Sequence, residues 1–547
     1  MADPRTPAEE EAFPALTESQ IARIRPLARE RDLKDGECLW KAGDRDRPLF
    51  VILSGSIEVL LGTEHVVTVE KYGMFTGDVD LLSGRPAVAQ ACARGPMKVL
   101  EVPAVRLRSL VQTDAELSEI FLRAFMFRRA ALVTQGGRNL VLIGSAFCSG
   151  TLELQEFLTR NNLPFAYLDV ERDAAVQETL DRLHIGIEEI PVVICRDTRV
   201  LRRPTIEELA DCVGLSDVRG TAVRDLIVVG AGPAGLSAAV SAGSEGLDVV
   251  VLEGNAPGGQ AGSSSRIENY LGFPTGVSGN DLTRLALVQA EKFGAELAVG
   301  RTISGLDCAR PYRVRMGETG LRARAVVIAC GIRYRKPKLD NLSRFEGLGV
   351  YYAATPVEAR LCSEEEVMVV GGGNSAGQAA VFLAGVSRRV TVMVRRSGLA
   401  ERMSRYLIRR IEETPNIRLL TRTRITALEG SSRLERVTWQ GADGVATMEP
   451  IRHVFMMTGA DPNTEWLRDC VALDDQGFIR TGPDLDPAAL EASGWPLSRS
   501  PYLFETTRPG VFAIGDVRAN SVKRVAAAVG EGGVCIQLVH RVLAESH

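Results

Sequence analysis

Gly230, Gly232 and Gly235 with Glu253 form one set of residues whose types and spacing could do chemistry, and Gly371, Gly373 and Ala376 with Arg395 and Arg396 form a second. Each set occupies a turn between an apolar, strand-like run and an alanine-rich, helix-like run, over Leu226–Ala239 and Val367–Ala380. A side chain in such a turn would keep a diphosphate away from the backbone N–H groups and from the positive end of the following helix. Two such turns imply two nucleotide cofactors and electron transfer between them. Glu253 closes the run Asp248–Glu253, about 20 residues past the first turn, where a carboxylate accepts hydrogen bonds from an adenosine ribose. In the second set, where Asn374 and Ser375 continue the turn, the run Val390–Arg396 ends on Arg395 and Arg396 instead of an acid. Paired guanidinium groups suit a 2′-phosphate, so NADPH is expected there.

The elements that position these turns belong to a long chain. At 547 residues it exceeds one hydrophobic core, and at roughly 150 residues per domain it predicts three or four domains. The net charge of -4 offers no basic surface for nucleic acid, and Arg128-Arg129 and Arg409-Arg410 read as solvated helix faces. The acidic N-terminal segment lacks an apolar core, and no stretch reaches the roughly 18 apolar residues of a membrane span, so no membrane association and a cytoplasmic location are expected. The 10 cysteines include no CxxC pair and are expected to be mostly small buried hydrophobes, with no disulfide framework and no metal site.

The C-terminal part carries further motifs: Gly258–Gly279, Val326–Gly331 and Gly510–Val529 with its Gly515-Asp516 pair. With the first turn these closely resemble low-molecular-weight thioredoxin reductase and its flavoprotein relatives. The resemblance implies FAD on the first turn, with Gln260 and Asn269 along the flavin and its linker and Asp516 at the ribityl or diphosphate. It also implies that Arg524, Val525 and Ala526 open a helix beside the flavin pyrimidine edge, valine standing where the family has glutamine. The expected division is an FAD domain over 223–347 and 463–547, interrupted by an NADPH domain over 348–462, the two nested and Rossmann-like, in a homodimer.

Two modules precede it. Residues 13–135 alternate in strand fashion, as in Leu49–Leu61, between helical runs, which predicts a β-barrel flanked by helices. Gly36-Glu37, Gly55 and Gly73–Ala91 resemble the cyclic-nucleotide-binding domain. The family's Gly-Glu is here Gly77-Asp78, and Ala87 follows Pro86 where its phosphate-clamping arginine belongs; Arg85, one residue before the proline, is a candidate substitute. The reading favoured is a regulatory or dimerising module that kept the fold and lost the ligand, over one that binds a cyclic nucleotide. Residues 138–216, after a linker at Gln135-Gly136-Gly137, read β (Asn139–Ser145), α (Thr151–Asn161), β (Pro164–Val170), α (Ala174–His184), β (Ile190–Arg196). That order resembles the thioredoxin/glutaredoxin fold, which implies a cis Pro191 facing Cys148 at a helix N-terminus. Thr151 replaces the resolving cysteine, so a degenerate spacer is favoured over a monothiol relay. The fold class is thus multidomain, α+β and α/β.

Thioredoxin reductases carry Cys-Ala-Thr-Cys and an aspartate just before the second fingerprint strand. The matching segment here is Tyr352–Val357, with Ala353 and Pro356 in place of the cysteines. NADPH-to-FAD transfer is unaffected, whereas the family's internal disulfide outlet is absent. The acceptor is then a ferredoxin-like carrier, a quinone, dioxygen or a small disulfide, with Cys148 of the fused module as a further route. With no disulfide to alternate with, less rotation between the two cofactor domains is expected. A redox or ligand sensor without turnover is the non-enzymatic alternative.

Overall fold

The computed structural model describes residues 11–545 except 62–63, 70–71, 136–139, 147, 173–175, 177–179, 181–184, 196–198, 219–221, 265, 402, 432 and 468. The helix expected over Ala174–His184 and the linker at Gly136-Gly137 lie mostly outside these residues.

The N-terminal sheet is antiparallel. Leu49–Leu61 and Gln90–Val102 pair along their length and are flanked by Arg29–Leu33, Cys38–Trp40 and Glu64–Val69. Because side chains alternate across a strand, the same residues feed two cores. Leu49, Val51, Leu100 and Val102 face the helices Glu18–Ile24, Ala104–Thr113 and Ala115–Gln135, while Phe50, Ile52, Ile57 and Val99 join Trp40 in a cluster enclosed by the strands. Arg128 and Arg129 depart from expectation. Both are buried, Arg128 donating to the carbonyls of Ala12 and Gly77 and Arg129 to Asp80 at 2.9 Å. A sequence shows that two arginines are adjacent; it does not show which carbonyls and carboxylates a helix will meet.

The next sheet orders its strands Ala166–Asp169, Leu140–Gly144, Val192–Cys195, Arg199–Arg202, the first pair parallel and the other two antiparallel. The helices Ser149–Arg160 and Ile206–Val213 pack on it through a shared core. The strand Arg199–Arg202 and the helix Ile206–Val213 were not anticipated. Both are short, and the second is started by a Thr205–Glu208 capping box. The Ile190–Pro191 bond is cis.

Val-rich runs buried on both faces make the two remaining main sheets parallel in their centres. The larger one runs Glu296–Val299, Val249–Glu253, Arg224–Val229, Thr319–Ile328, Tyr312–Met316, Gly305–Asp307, and Val511–Ala513 adds in parallel beside Thr319–Ile328. Apolar clusters cover both its faces. The second runs Val350–Tyr351, His453–Met456, Glu366–Val370, Arg389–Val394, Ile417–Thr421, all parallel. The chain crosses between these sheets at Ile332–Tyr334 and again at Ala460–Pro462, and the two crossings pair with each other as an antiparallel ribbon.

The expectation of unpaired cysteines is not met. Cys38–Cys92, Cys195–Cys212 and Cys308–Cys470 are disulfides, across 54, 17 and 162 residues of sequence. The first pair are register partners on neighbouring strands. Spacing in sequence carries no trace of such pairings. Cys148, Cys330, Cys362 and Cys535 are free.

Candidate active site

Each glycine turn ends a central strand and opens a helix, Pro233–Ser244 at the first and Asn374–Ala384 at the second. Gly230 takes φ +106°, which glycine tolerates and other residues do not. A Cβ on Gly232 would have Gly259 Cα, 4.0 Å away, as its nearest neighbour, and one on Gly373 would meet nothing within 4 Å. Both middle glycines therefore leave their N–H groups open to a close-lying diphosphate. Glu253 is fixed at its strand end by the N–H groups of Ala231 (2.8 Å) and Asn255 (3.0 Å).

The two turns open into one cavity of about 830 Å³, within the range that holds organic ligands. Of the residues singled out in the sequence, Gly230, Gly232, Glu253, Gln260, Asn269, Asp516, Arg524, Val525, Asn374, Ser375 and Ala353 line it. Gly235, Ala526, Gly371, Gly373, Ala376, Arg395, Arg396 and Cys148 are not in its wall. Gly235 and Ala376 are buried behind the turns, where they let helix and strand approach. Arg395 and Arg396 are exposed beyond the strand Arg389–Val394, and Arg396 pairs with Glu401. Pro356 starts the helix Pro356–Leu361.

Several lining residues went unnoticed in the sequence. Tyr334, on the crossing ribbon, is within hydrogen-bonding reach of Ser375, and burial raises its phenol. Lys523 Nζ donates to the Asp516 carbonyl at 2.6 Å. Burial pushes the Asp516 carboxyl up, opposed by the Lys523 charge. Lys523 stands beside Arg524 in the final motif, so its position was readable there. The long helix Val525–Glu545 directs its N-terminus at the cavity, where its dipole favours negative charge. Cys330 also lines the cavity. Its thiol donates to the Asn463 carbonyl at 3.1 Å, and burial pushes it up to about 12. Cys362 is fully buried, and burial pushes its thiol up to about 11, as for a packing residue.

In the N-terminal module the cassette carboxylate is already engaged. Asp78 meets Arg47 at 2.5 Å, both side chains being buried. Burial raises the Asp78 carboxyl and Arg47 opposes the rise. Arg85, the candidate substitute clamp, turns instead to Glu291 at 3.2 Å, on the helix Gly279–Lys292 of the large α/β region. Cys148 caps the helix Ser149–Arg160, and the Cβ position of Gly150 lies 3.5 Å from Pro191 and 3.9 Å from the Cys148 Sγ. Ser149 and Leu152 of that helix line the cavity, and a Cβ on Gly347 would stand 3.0 Å from that of Ser149.

Two glycine-rich strand–turn–helix units, each at the end of a parallel strand and facing one cavity, are the arrangement that an oxidoreductase with two nucleotide cofactors requires. The chain belongs to the pyridine nucleotide-disulphide oxidoreductase family, whose sequence profile matches residues 224–532. Residues 30–114 match the cyclic nucleotide-binding domain. The thioredoxin reductase of Listeria monocytogenes is 30% identical over 327 residues, 59% of this chain and 95% of the relative. That of Mycolicibacterium smegmatis is 31% identical over 325 residues, 59% of this chain and 97% of the relative. Among solved structures, Lactococcus lactis thioredoxin reductase superposes with a TM-score of 0.53 at 25% identity, covering 59% of this chain and 99% of that one. The T. acidophilum thioredoxin reductase gives 0.52 at 26%, covering 58% and 99%. This is an NADPH-dependent flavoprotein oxidoreductase using FAD and NADPH. Among the described residues no helix is long and apolar enough to cross a membrane, and no three His, Cys, Asp or Glu group as a metal site.

Proposed function

We propose that this protein takes electrons from NADPH to FAD and passes them to an acceptor without the redox-active cysteine pair of thioredoxin reductases. The observation that carries the reading is the shared cavity, with Ala353 in its wall where the resemblance sets a cysteine. When both cofactors are bound they supply the hydride transfer themselves; the chain holds and orients them. Gly230, Gly232, Gly235, Glu253, Gln260, Asn269, Asp516 and Arg524–Ala526 would hold FAD, and Gly371–Ala376 with Arg395 and Arg396 would hold NADPH. The proposed division is 13–135, 138–216, 223–347 with 463–547, and 348–462, which gives each unit one main sheet. The acceptor class is a ferredoxin-like carrier, a quinone, dioxygen or a small disulfide, and the protein acts as a homodimer.

The barrel reads as a module that kept its fold and lost its ligand, since Arg47 neutralises Asp78 and Arg85 is spent on Glu291. A second reading, in which the middle module has a thioredoxin-like fold and Cys148 reduces disulfides, is favoured by one observation. The helix that Cys148 caps forms part of the cavity wall.

Anaerobic mixing with NADPH, followed at the flavin absorbance band, is expected to bleach the flavin; an unbleached flavin would support a sensor instead. A screen of the four acceptor classes then names the partner, and Cys148→Ser tests the second reading. The double variant Arg395→Ala, Arg396→Ala should lower kcat/KM for NADPH roughly 100-fold, from the loss of charge-assisted contacts, while leaving NADH unchanged. Equal effects on the two nucleotides would refute the assignment of those arginines.

A further inference from the structure

One wall of the cavity comes from outside the region that matches the oxidoreductase family. The helix Ser149–Arg160 buries Thr151, Leu154, Phe157 and Leu158 in the core of its own module. Its other side presents Ser149, Glu153, Glu156 and Arg160 to the cavity, at the spacing of one helical face. Arg160 bonds across to the first glycine turn's neighbourhood. Its Nη2 donates to the Gly259 carbonyl at 2.8 Å and its Nη1 lies 3.3 Å from Glu156 Oε1. Its Nε–H is buried and finds no acceptor among the described residues.

Gly259 packs on the first glycine turn: it takes φ +51°, and a Cβ on it would lie 3.2 Å from Gly232 Cα. Next along the chain, Asn161 donates to the Asn255 carbonyl at 3.2 Å, and Asn255 N–H in turn donates to Glu253. The end of the helix is thereby fastened at two points to the loop that follows the strand Val249–Glu253, beside the carboxylate assigned to the ribose.

We infer that Arg160 is a ligand of the FAD diphosphate, so that the middle module completes the FAD site. The inference rests on the assignment of FAD to the first turn. That turn offers only backbone N–H groups and a helix dipole, because Pro233, Ala234, Gly235, Gly259 and Ala261 carry no charge, and Glu253 is an anion. A dianionic diphosphate is best held by a planar guanidinium with free donors, which forms short charge-assisted hydrogen bonds. Arg160 meets this need. It lines the same cavity as Gly232, its ion pair within 4 Å is with Glu156, and its buried Nε–H has no acceptor among the described residues.

The competing role is that of a strut joining two modules, and ligand charge separates the two. FAD is removed, and rebinding of FAD to the full-length apoprotein is followed by flavin fluorescence; ADP and adenosine are then titrated as competitors. Arg160→Met keeps the length of the side chain and removes the charge. A diphosphate ligand predicts FAD and ADP weakened roughly 10-fold or more, with adenosine unchanged, and Arg160→Lys between Met and wild type. A strut predicts that ADP and adenosine weaken together, or that neither changes, and either result overturns the inference. If the methionine variant does not fold, the lysine variant decides by the same ratio of ADP to adenosine. Failure of wild-type apoprotein to rebind FAD would instead remove the FAD assignment itself.

Discussion

Gly235→Ala is expected to yield protein without flavin and to lower stability by about 1–3 kcal/mol, the cost of forcing an extra methyl into a packed interior. Gly235 stands in the first turn of the helix Pro233–Ser244. A Cβ there would overlap the Gly230 carbonyl oxygen and lie 3.0 Å from its carbon and 3.3 Å from Val228 Cγ1. None of these atoms can withdraw. Gly230 N–H donates to the Leu252 carbonyl at 2.7 Å, and the strand Arg224–Val229 is paired on both sides. The helix must tilt instead, and the N–H groups of the turn, proposed to hold the FAD diphosphate, then spread apart. The ratio of flavin to protein absorbance, with denaturant titration of both apoproteins, measures the two effects. Gly232→Ala is the control: with its nearest neighbour 4.0 Å away it should fold normally and lose only affinity. A fully flavinylated Gly235→Ala protein would contradict this account of the turn.

Arg85→Met should cost about 3–5 kcal/mol near neutral pH, because it leaves Glu291 charged and buried without its partner. Glu291 is 4% exposed and Arg85 15%. Burial holds the Glu291 carboxyl above the ordinary carboxylate range, Arg85 opposing the rise and Asp80 adding to it. The folded state therefore binds this proton more tightly than the unfolded one does. The group's contribution to stability falls as pH rises from its unfolded value through the raised folded one. Removing Arg85 lifts the folded value further, so the deficit against wild type is largest at pH 8 and shrinks toward pH 5. Urea denaturation at the two pH values reads this directly, and Glu291→Gln in the Arg85→Met background should recover most of the loss. Equal stability of Arg85→Met and wild type at pH 8 would show that the pair contributes nothing.

The cofactor turns were legible because their chemistry is local. A glycine-rich turn between an apolar run and an alanine-rich run fixes strand, turn and helix within about fourteen residues, and Glu253, Asn374 and Ser375, singled out beside these turns, line the cavity. The cavity wall was less so. Lys523 lies inside the final motif beside Arg524, while Arg160 meets Gly259 across 99 residues of sequence, a distance over which no spacing rule operates. The N-terminal module matches its expected family, and only the partners of its cassette residues lay beyond reach of the sequence. Arg85 was weighed against a phosphate because it neighbours Pro86, whereas its partner sits 206 residues away on another module and Asp78 is served by Arg47, before the cassette. Composition misled over the cysteines, since pairs such as Cys308–Cys470 are set by strand and loop placement.

The ribbon of Ile332–Tyr334 against Ala460–Pro462 has a mechanical consequence. The second parallel sheet leaves and rejoins the first through these two segments, which are hydrogen-bonded to each other and cross-tied by Arg333–Glu465 and Arg335–Asp461. Two-stranded ribbons are more strongly twisted than wider sheets. The ribbon makes the chain enter and leave the second sheet side by side, through one hydrogen-bonded joint. Tyr334 sits on that joint within reach of Ser375, so the same short strand that links the two sheets also borders the second glycine turn.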